Sequence, residues 1–255
     1  MNNYIIGTAT ATISDVNINS PEFRNTSRNM VLAHTVLGKI FSSHEQLLGF
    51  LKQSTTGVFV GTSRGELKCS SDFLRSVAVD GIARPILFQN SLHNSILGFI
   101  TKTYGLTGPS FTLSNRYFSG EDALCLACDL LDAQLIRYAL VVGVDTIPLG
   151  IEAIFCSTYA KDVKISEGAG AVLLTNEQNL GTIKGYLGPK AIIQDVKYNR
   201  TKTALSAMGF DKKDYYDSNA IQELGMAVEA NSYKVEIKKP DGSSSVLSLG
   251  FGFKY

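Results

Sequence analysis

Gly108-Pro109-Ser110-Phe111-Thr112-Leu113-Ser114-Asn115-Arg116-Tyr117-Phe118-Ser119-Gly120-Glu121-Asp122-Ala123-Leu124 runs from a turn, through a short stretch of β-formers, into the start of a helix. Ser110 to Ser114 reads as a strand, and Ser119 or Gly120 caps a helix expected to reach about Ile136. Glu121 and Asp122 fall in its first turn, where the helix dipole favours carboxylates. A strand, a tight turn and a helix N-terminus together aim free backbone N–H groups at one point, which is where a nucleophile is activated or an oxyanion is held.

Working outward, Tyr138 to Asp145 and Gly170 to Thr175 are continuous Val/Leu/Ala runs of the kind that suits strands buried on both faces. Upstream, Tyr4 to Thr12 and Gly57 to Gly61 are β-branched, Met30 to Lys52 carries helical spacing, and Phe88 to Tyr104 predicts one helix with Leu92, Ile96, Phe99 and Ile100 on a stripe. Strands alternating with helices predict a three-layer α/β domain. After Asn176 the texture changes. Lys190, Lys197, Arg200, Lys202, Lys212 and Lys213 stand against Asp195 and Asp211, a local +4, and 233–253 alternate around Pro240-Asp241-Gly242 as a hairpin. In all, 255 residues with 44% hydrophobic content suffice for a buried core, and 24 Lys+Arg against 23 Asp+Glu create no basic field for nucleic acid or anionic lipid. The N-terminus lacks a basic leader and no apolar run suits a membrane span, so a cytoplasmic protein is expected. Cys69, Cys125, Cys128 and Cys156 are expected as reduced thiols.

Several motifs read better as structure than as chemistry. Gly61-Thr62-Ser63-Arg64-Gly65 matches a hydrolase elbow after a strand, yet only His93 follows, thirty residues on, which leaves no space for the strands of a triad. Cys125-Leu126-Ala127-Cys128 sits inside the helix and not at its positive end, and zinc would need two further ligands, so small buried helix residues are expected and no metal. His34 and His44 have no acidic or histidine partner at i, i+4 and read as surface or boundary residues. No phosphate-binding glycine loop occurs, so no nucleotide cofactor is expected.

Four segments in order resemble the β-ketoacyl synthases of the thiolase superfamily: Gly-Pro-Ser-Phe-Thr at 108–112, Ser119-Gly120, the strand Ala139 to Asp145, and Glu167-Gly168-Ala169-Gly170. Gly57 to Glu66 looks like that family's second strand and glycine turn. The resemblance covers 1 to about 180, and Phe88-Gln89-Asn90-Ser91-Leu92-His93-Asn94 looks most like a short branch found in polyene, pigment and lipid gene clusters. It implies a thiolase-like layered α/β/α half over 1–180. Residues 181–255 would be a shortened, irregular C-terminal extension, a remnant of the second half ending in a β-hairpin within the same compact domain.

Where the family presents its nucleophilic cysteine, four residues beyond the position of Leu113, this chain has Tyr117, whose phenol is a poor nucleophile at neutral pH. The family's C-terminal histidines are missing too, since none follows His93; Leu247 to Phe253 resembles a remnant of its glycine-rich motif and Ala204 to Phe210 a helix of its second half. The resemblance therefore implies a catalytically degenerate subunit, a chain-length factor that completes the acyl tunnel of an active ketosynthase and needs no cofactor. Arg116, Tyr117, Phe118, Ser119 and Gly120 would fill the elbow, Leu87, Phe88, Leu92 and His93 would line the acyl pocket, and Phe111, Thr112, Leu113, Ser114 and Asn115 would pair across a heterodimer or homodimer. Lys197, Arg200 and Lys202 would dock an acidic acyl carrier protein. The alternatives are a homodimeric acyl- or carrier-binding protein and an acyltransferase with another nucleophile.

Overall fold

Every residue of the strands β2 (Thr56–Gly61), β4 (Tyr138–Asp145) and β5 (Gly168–Asn176) is buried, as continuous apolar runs demand of strands covered on both faces. The computed structural model describes residues 2–16, 20–42, 46–152, 166–183, 188–199, 219–239 and 243–251. His44, Cys156, Arg200, Lys202, Lys212, Lys213, the segment 204–210 and the Pro240-Asp241-Gly242 turn lie outside them. The other strands are β1 (Asn3–Thr12), β3 (Ser110–Leu113), β6 (Ala191–Asn199), β7 (Lys234–Lys238) and β8 (Ser244–Gly250). The helices are α1 (Arg28–Ser42), α2 (Leu47–Gln53), α3 (Leu67–Ala78), α4 (Pro85–Ser91), α5 (Ser95–Tyr104), α6 (Ser119–Asp132), α7 (Glu177–Ile183) and α8 (Ala220–Glu229).

One eight-stranded sheet runs β3-β2-β4-β5-β1-β6-β8-β7. β3, β2 and β4 are parallel and every later pairing is antiparallel, so β3 is an edge with one free side. Two separate apolar clusters fill the faces. On one, α1 lays Met30, Ala33, Val36, Leu37 and Ile40, at helical spacing, beside Ile96 and Ile100 of α5 and Val58, Leu140 and Leu173 of the sheet. On the other, Leu124, Ala127 and Leu131 of α6 and Ile221 and Leu224 of α8 cover Phe59, Val141 and Val172. That is the expected helix, sheet, helix layering.

Three local expectations are corrected. Phe88 to Tyr104 is two helices, broken at 92–94. Ser91 and Ser95 turn their hydroxyls onto the carbonyls of Phe88 (2.7 Å) and Gln89 (2.6 Å), a competition for backbone acceptors that interrupts helices. The helix from Ser119 ends at Asp132 and not near Ile136, because Gln134 adopts a left-handed φ of 59° and Leu135 N–H caps the Leu130 carbonyl at 3.0 Å. The C-terminal part is not irregular where described: β6 pairs with β1 and β8, β8 with β7, and α8 lies on β5 and β1. Its sparse apolar residues reflect strands toward the sheet's margin, which need an apolar face on one side only.

Candidate functional site

Between β3 and α6 the chain reverses in a few residues, and the reversal is built on Ser119. Its Oγ accepts from Asn115 N–H at 2.9 Å and donates to the Arg116 carbonyl at 2.7 Å. Arg116 takes a left-handed φ of 48°, unusual for a residue other than glycine and the mark of a constrained elbow. Asn115 Nδ2 donates to Asp122 Oδ2 at 2.6 Å and ties the turn to the first helical turn. Ser119 thus closes the elbow from inside rather than capping the helix; the N-cap position is Phe118, whose side chain makes no cap bond. Arg116 points to solvent, Tyr117 is half-buried and Phe118 is buried, so of three bulky side chains expected to plug the pocket only Phe118 is fully inside.

Beneath the elbow lies a pair that sequence reading missed. Glu121 and Lys239, at the foot of the C-terminal hairpin, are both inaccessible to solvent, with Nζ 2.6 Å from Oε1. Ser245 Oγ donates to the same oxygen at 2.5 Å, and Nζ stands 5.4 Å from the centre of the Phe118 ring. Lysine in an alternating strand ordinarily signals a solvated face; only the hairpin's placement over α6 turns it inward. Glu121 therefore meets both the helix dipole and a buried cation.

The glycine turn after β2 is held from below by Asp145 at the end of β4. Its Oδ1 accepts from Thr62 Oγ1 (2.9 Å), Ser63 N–H (3.0 Å) and Arg64 N–H (3.3 Å). A Cβ on Gly61 would stand 2.4 Å from the Ser119 carbonyl oxygen, and Gly65, at φ 55°, has the His93 ring 2.6 Å from where its Cβ would be. The glycines let β2, the elbow and His93 close together. Ser63 carries no triad: its backbone, not its hydroxyl, is engaged by Asp145, and among the described residues neither Ser63 Oγ nor the His93 ring makes a hydrogen bond. Glu167 of Glu-Gly-Ala-Gly accepts from Ile147 N–H at 2.8 Å and pairs with Arg28, while Gly170 admits the backbone of Gln222 in α8.

Two cavities flank α4. The larger, about 550 Å³, is walled by Ile86, Leu87 and Leu149 and floored by Ser27, Arg28, Glu66 and Cys69. The smaller, about 380 Å³, lies against Leu92, Phe99 and Met30. Glu66 is 2% exposed; burial raises its carboxyl to about 7, against the lowering effect of bonds from Ser27 (2.5 Å), Cys69 (3.7 Å) and Asn29. Burial likewise pushes the Cys69 thiol up to about 12, with Glu66 adding to it, so Cys69 is no thiolate at neutral pH.

Residues 16–179 match the family model for the β-ketoacyl synthase N-terminal domain, well over half of the chain. The chain belongs to the β-ketoacyl synthase family. Among curated proteins no sequence matches it. In fold, this ketosynthase-family chain is similar to a chain of the complex titled "AntDE:AntF (apo): type II PKS acyl-carrier protein in complex with its ketosynthase bound to the hexaketide", at TM-score 0.80 and 11% identity over 97% of this chain and 99% of that one. "The ishigamide ketosynthase/chain length factor" is similar at TM-score 0.77 and 13% identity, over 98% and 99%. The ketosynthase ApeO in complex with its chain length factor ApeC from Xenorhabdus doucetiae is similar at 0.65 and 14%, over 97% and 99%.

Within this family frame the residues singled out from sequence separate into four places. Arg116 to Gly120 form the elbow; Phe111 to Asn115 lie on or just beyond the free edge, with Phe111 exposed and stacked on Phe59 at 5.9 Å. Leu87 lines the larger cavity and Leu92 the smaller, His93 packs on Gly65, and Phe88 faces outward against Phe73 at 5.3 Å. Phe88 is 53% exposed, so its ring is not buried within this chain. Lys197 is a solvated end of β6 paired with Asp195 at 2.9 Å. The described cysteines lie in α3 and α6, with Cys125 and Cys128 half-buried, and burial pushes the Cys128 thiol up. His34 sits in an aromatic nest of Phe23, Phe99 and Tyr104. Among the described residues no helix is long and apolar enough to cross a membrane.

Proposed function

We propose that the chain is a non-condensing partner subunit that pairs with an active ketosynthase and limits how far its acyl chain grows. The observation that carries this reading is the elbow: a constrained turn built like a nucleophile site, with Arg116, Tyr117 and Phe118 where a thiol would stand. Tyr117 is half-buried beside the exposed Arg116, and a phenol is a far weaker nucleophile than a thiolate. The free edge of β3 and the helical arm α3–α4 point the same way. Leu67, Leu74, Val77, Val79, Ile86 and Phe88 are exposed on that arm, an apolar area that a soluble monomer rarely shows. The similar solved complexes of ketosynthases with chain length factors support the reading.

Co-expression with an active full-length ketosynthase from the same source tests the proposal. A stable heterodimer on gel filtration, and a changed product-length distribution when the subunit is omitted, are expected. A protein that stays homodimeric beside the synthase would instead favour an acyl- or carrier-binding role, and a stoichiometric acyl adduct would favour an acyltransferase.

A further inference from the structure

We propose that the cavity of about 550 Å³ beneath α4 is a binding chamber for the uncharged, oxygen-bearing end of a medium-length hydrocarbon chain, with Glu66 and Arg28 receiving the oxygen. That such an end arrives on an acyl chain held by a synthase rests on the reading above; the chamber itself rests on its lining.

The volume falls within the range of small-molecule sites, and the walls are of the usual kind: Ile86, Leu87 and Leu149 supply an apolar sleeve around a few converging polar groups. Those groups are unusual in what they are free to do. Glu66, almost wholly buried, has Oε1 occupied by the Ser27 hydroxyl and a weak thiol contact from Cys69 at Oε2. With burial pushing it up to about 7, its carboxyl is mostly protonated below neutral pH, where it presents one O–H donor and no charge. Arg28 spends Nη2 on Glu167, while its Nε is buried and has no hydrogen-bond partner among the described residues. An unbonded buried donor is costly, and an oxygen placed in the cavity would satisfy it.

The charge balance selects the kind of oxygen. Among the described lining residues Arg28 is neutralised by Glu167 and, at the mouth, Lys68 by Asp72, so neither cation is left over for a carboxylate or phosphate. An anion entering would also drive Glu66 to hold its proton more tightly or face it as a like charge. A ketone or alcohol accepts from Arg28 Nε and Glu66 without either cost. Nothing in the elbow supplies this chemistry, because none of residues 116–120 lines the cavity.

The test uses 2-nonanone carrying ¹³C at the carbonyl, with octanoate for comparison, added to the full-length protein at pH 6.5. Saturable binding with a downfield shift of the carbonyl resonance is expected, and octanoate should bind at least tenfold more weakly. Glu66→Leu should weaken ketone binding at least tenfold and abolish the shift, Glu66→Gln should keep both within about threefold, and Ile86→Trp, at a position already partly exposed, should block the chamber. Thermal melts establish that each variant is folded; if Glu66→Leu is not, Glu66→Gln with Ile86→Trp decides. Octanoate binding as tightly as the ketone, a folded Ile86→Trp that binds normally, or no saturable binding would each overturn the proposal. Gel filtration with the synthase is scored separately: ketone binding without pairing upholds the chamber and removes the partner reading, whereas pairing without ketone binding does the reverse.

Discussion

At Tyr117 the missing thiol decides chemistry, and incubation with an acyl-carrier thioester followed by intact-mass measurement should show no adduct there. Ser63 should stay unlabelled by a fluorophosphonate, since Asp145 is spent on the backbone of its turn. Gly61→Val or Gly65→Val should lower folded yield sharply. The first drives a side chain into the Ser119 carbonyl, and the second combines a left-handed φ with the His93 ring. Glu66 carries a pH signature of known sign. The folded protein holds its proton to about pH 7, whereas the unfolded chain releases it near 4.5, so stability falls as pH rises between those values and levels off above. Glu66→Gln should remove that slope and at pH 8 exceed the parent by up to about 3 kcal/mol, read from urea melts at pH 5, 6.5 and 8. Single residues were legible where a type is chemically committed, as with Tyr117. Glu66 was not, because nothing local in Gly65-Glu66-Leu67 announces that Ser27 and Cys69 will enclose it.

Elements were legible where one apolar period dominates, and illegible where a helix faces away from the core. α3 and α4 bury almost nothing within this chain; α3 carries an apolar face, with Leu67, Leu74 and Val77, that this chain leaves uncovered, and it went unrecognised. Phe88 lies on that uncovered arm, packed only against Phe73 among the described rings. Phe88→Ala should cost well under the roughly 3–5 kcal/mol of a buried ring in this subunit alone, and should lengthen the product of a co-expressed synthase if it reaches into the partner's tunnel. Mass spectrometry of released chains decides; Tyr117→Ala should change lengths little. Replacing Lys197, Arg200 and Lys202 by serine should weaken carrier-protein affinity, and more so at low salt, if these cations steer docking.

For the whole molecule, the C-terminal hairpin is tied to the elbow helix through Glu121, which takes both the buried Lys239 cation and the Ser245 hydroxyl. Lys239→Met alone should destabilise by about 3–5 kcal/mol by stranding the Glu121 carboxylate, while Glu121→Leu with Lys239→Met should recover most of it, as chemical denaturation would show. The amino-acid sequence by itself determined the layered α/β core: the runs at 138–145 and 168–176, the stripe on α1 and the turn at 114–119 are local patterns whose solvent preference allows one arrangement. It also determined that the elbow offers no thiol. Only the tertiary structure decided which polar groups meet. Glu121 with Lys239, Glu66 with Ser27, and Arg28 with Glu167 join positions 39 to 139 residues apart, and a charged residue's surroundings in space, not its neighbours in sequence, set whether it is solvated, paired or kept neutral.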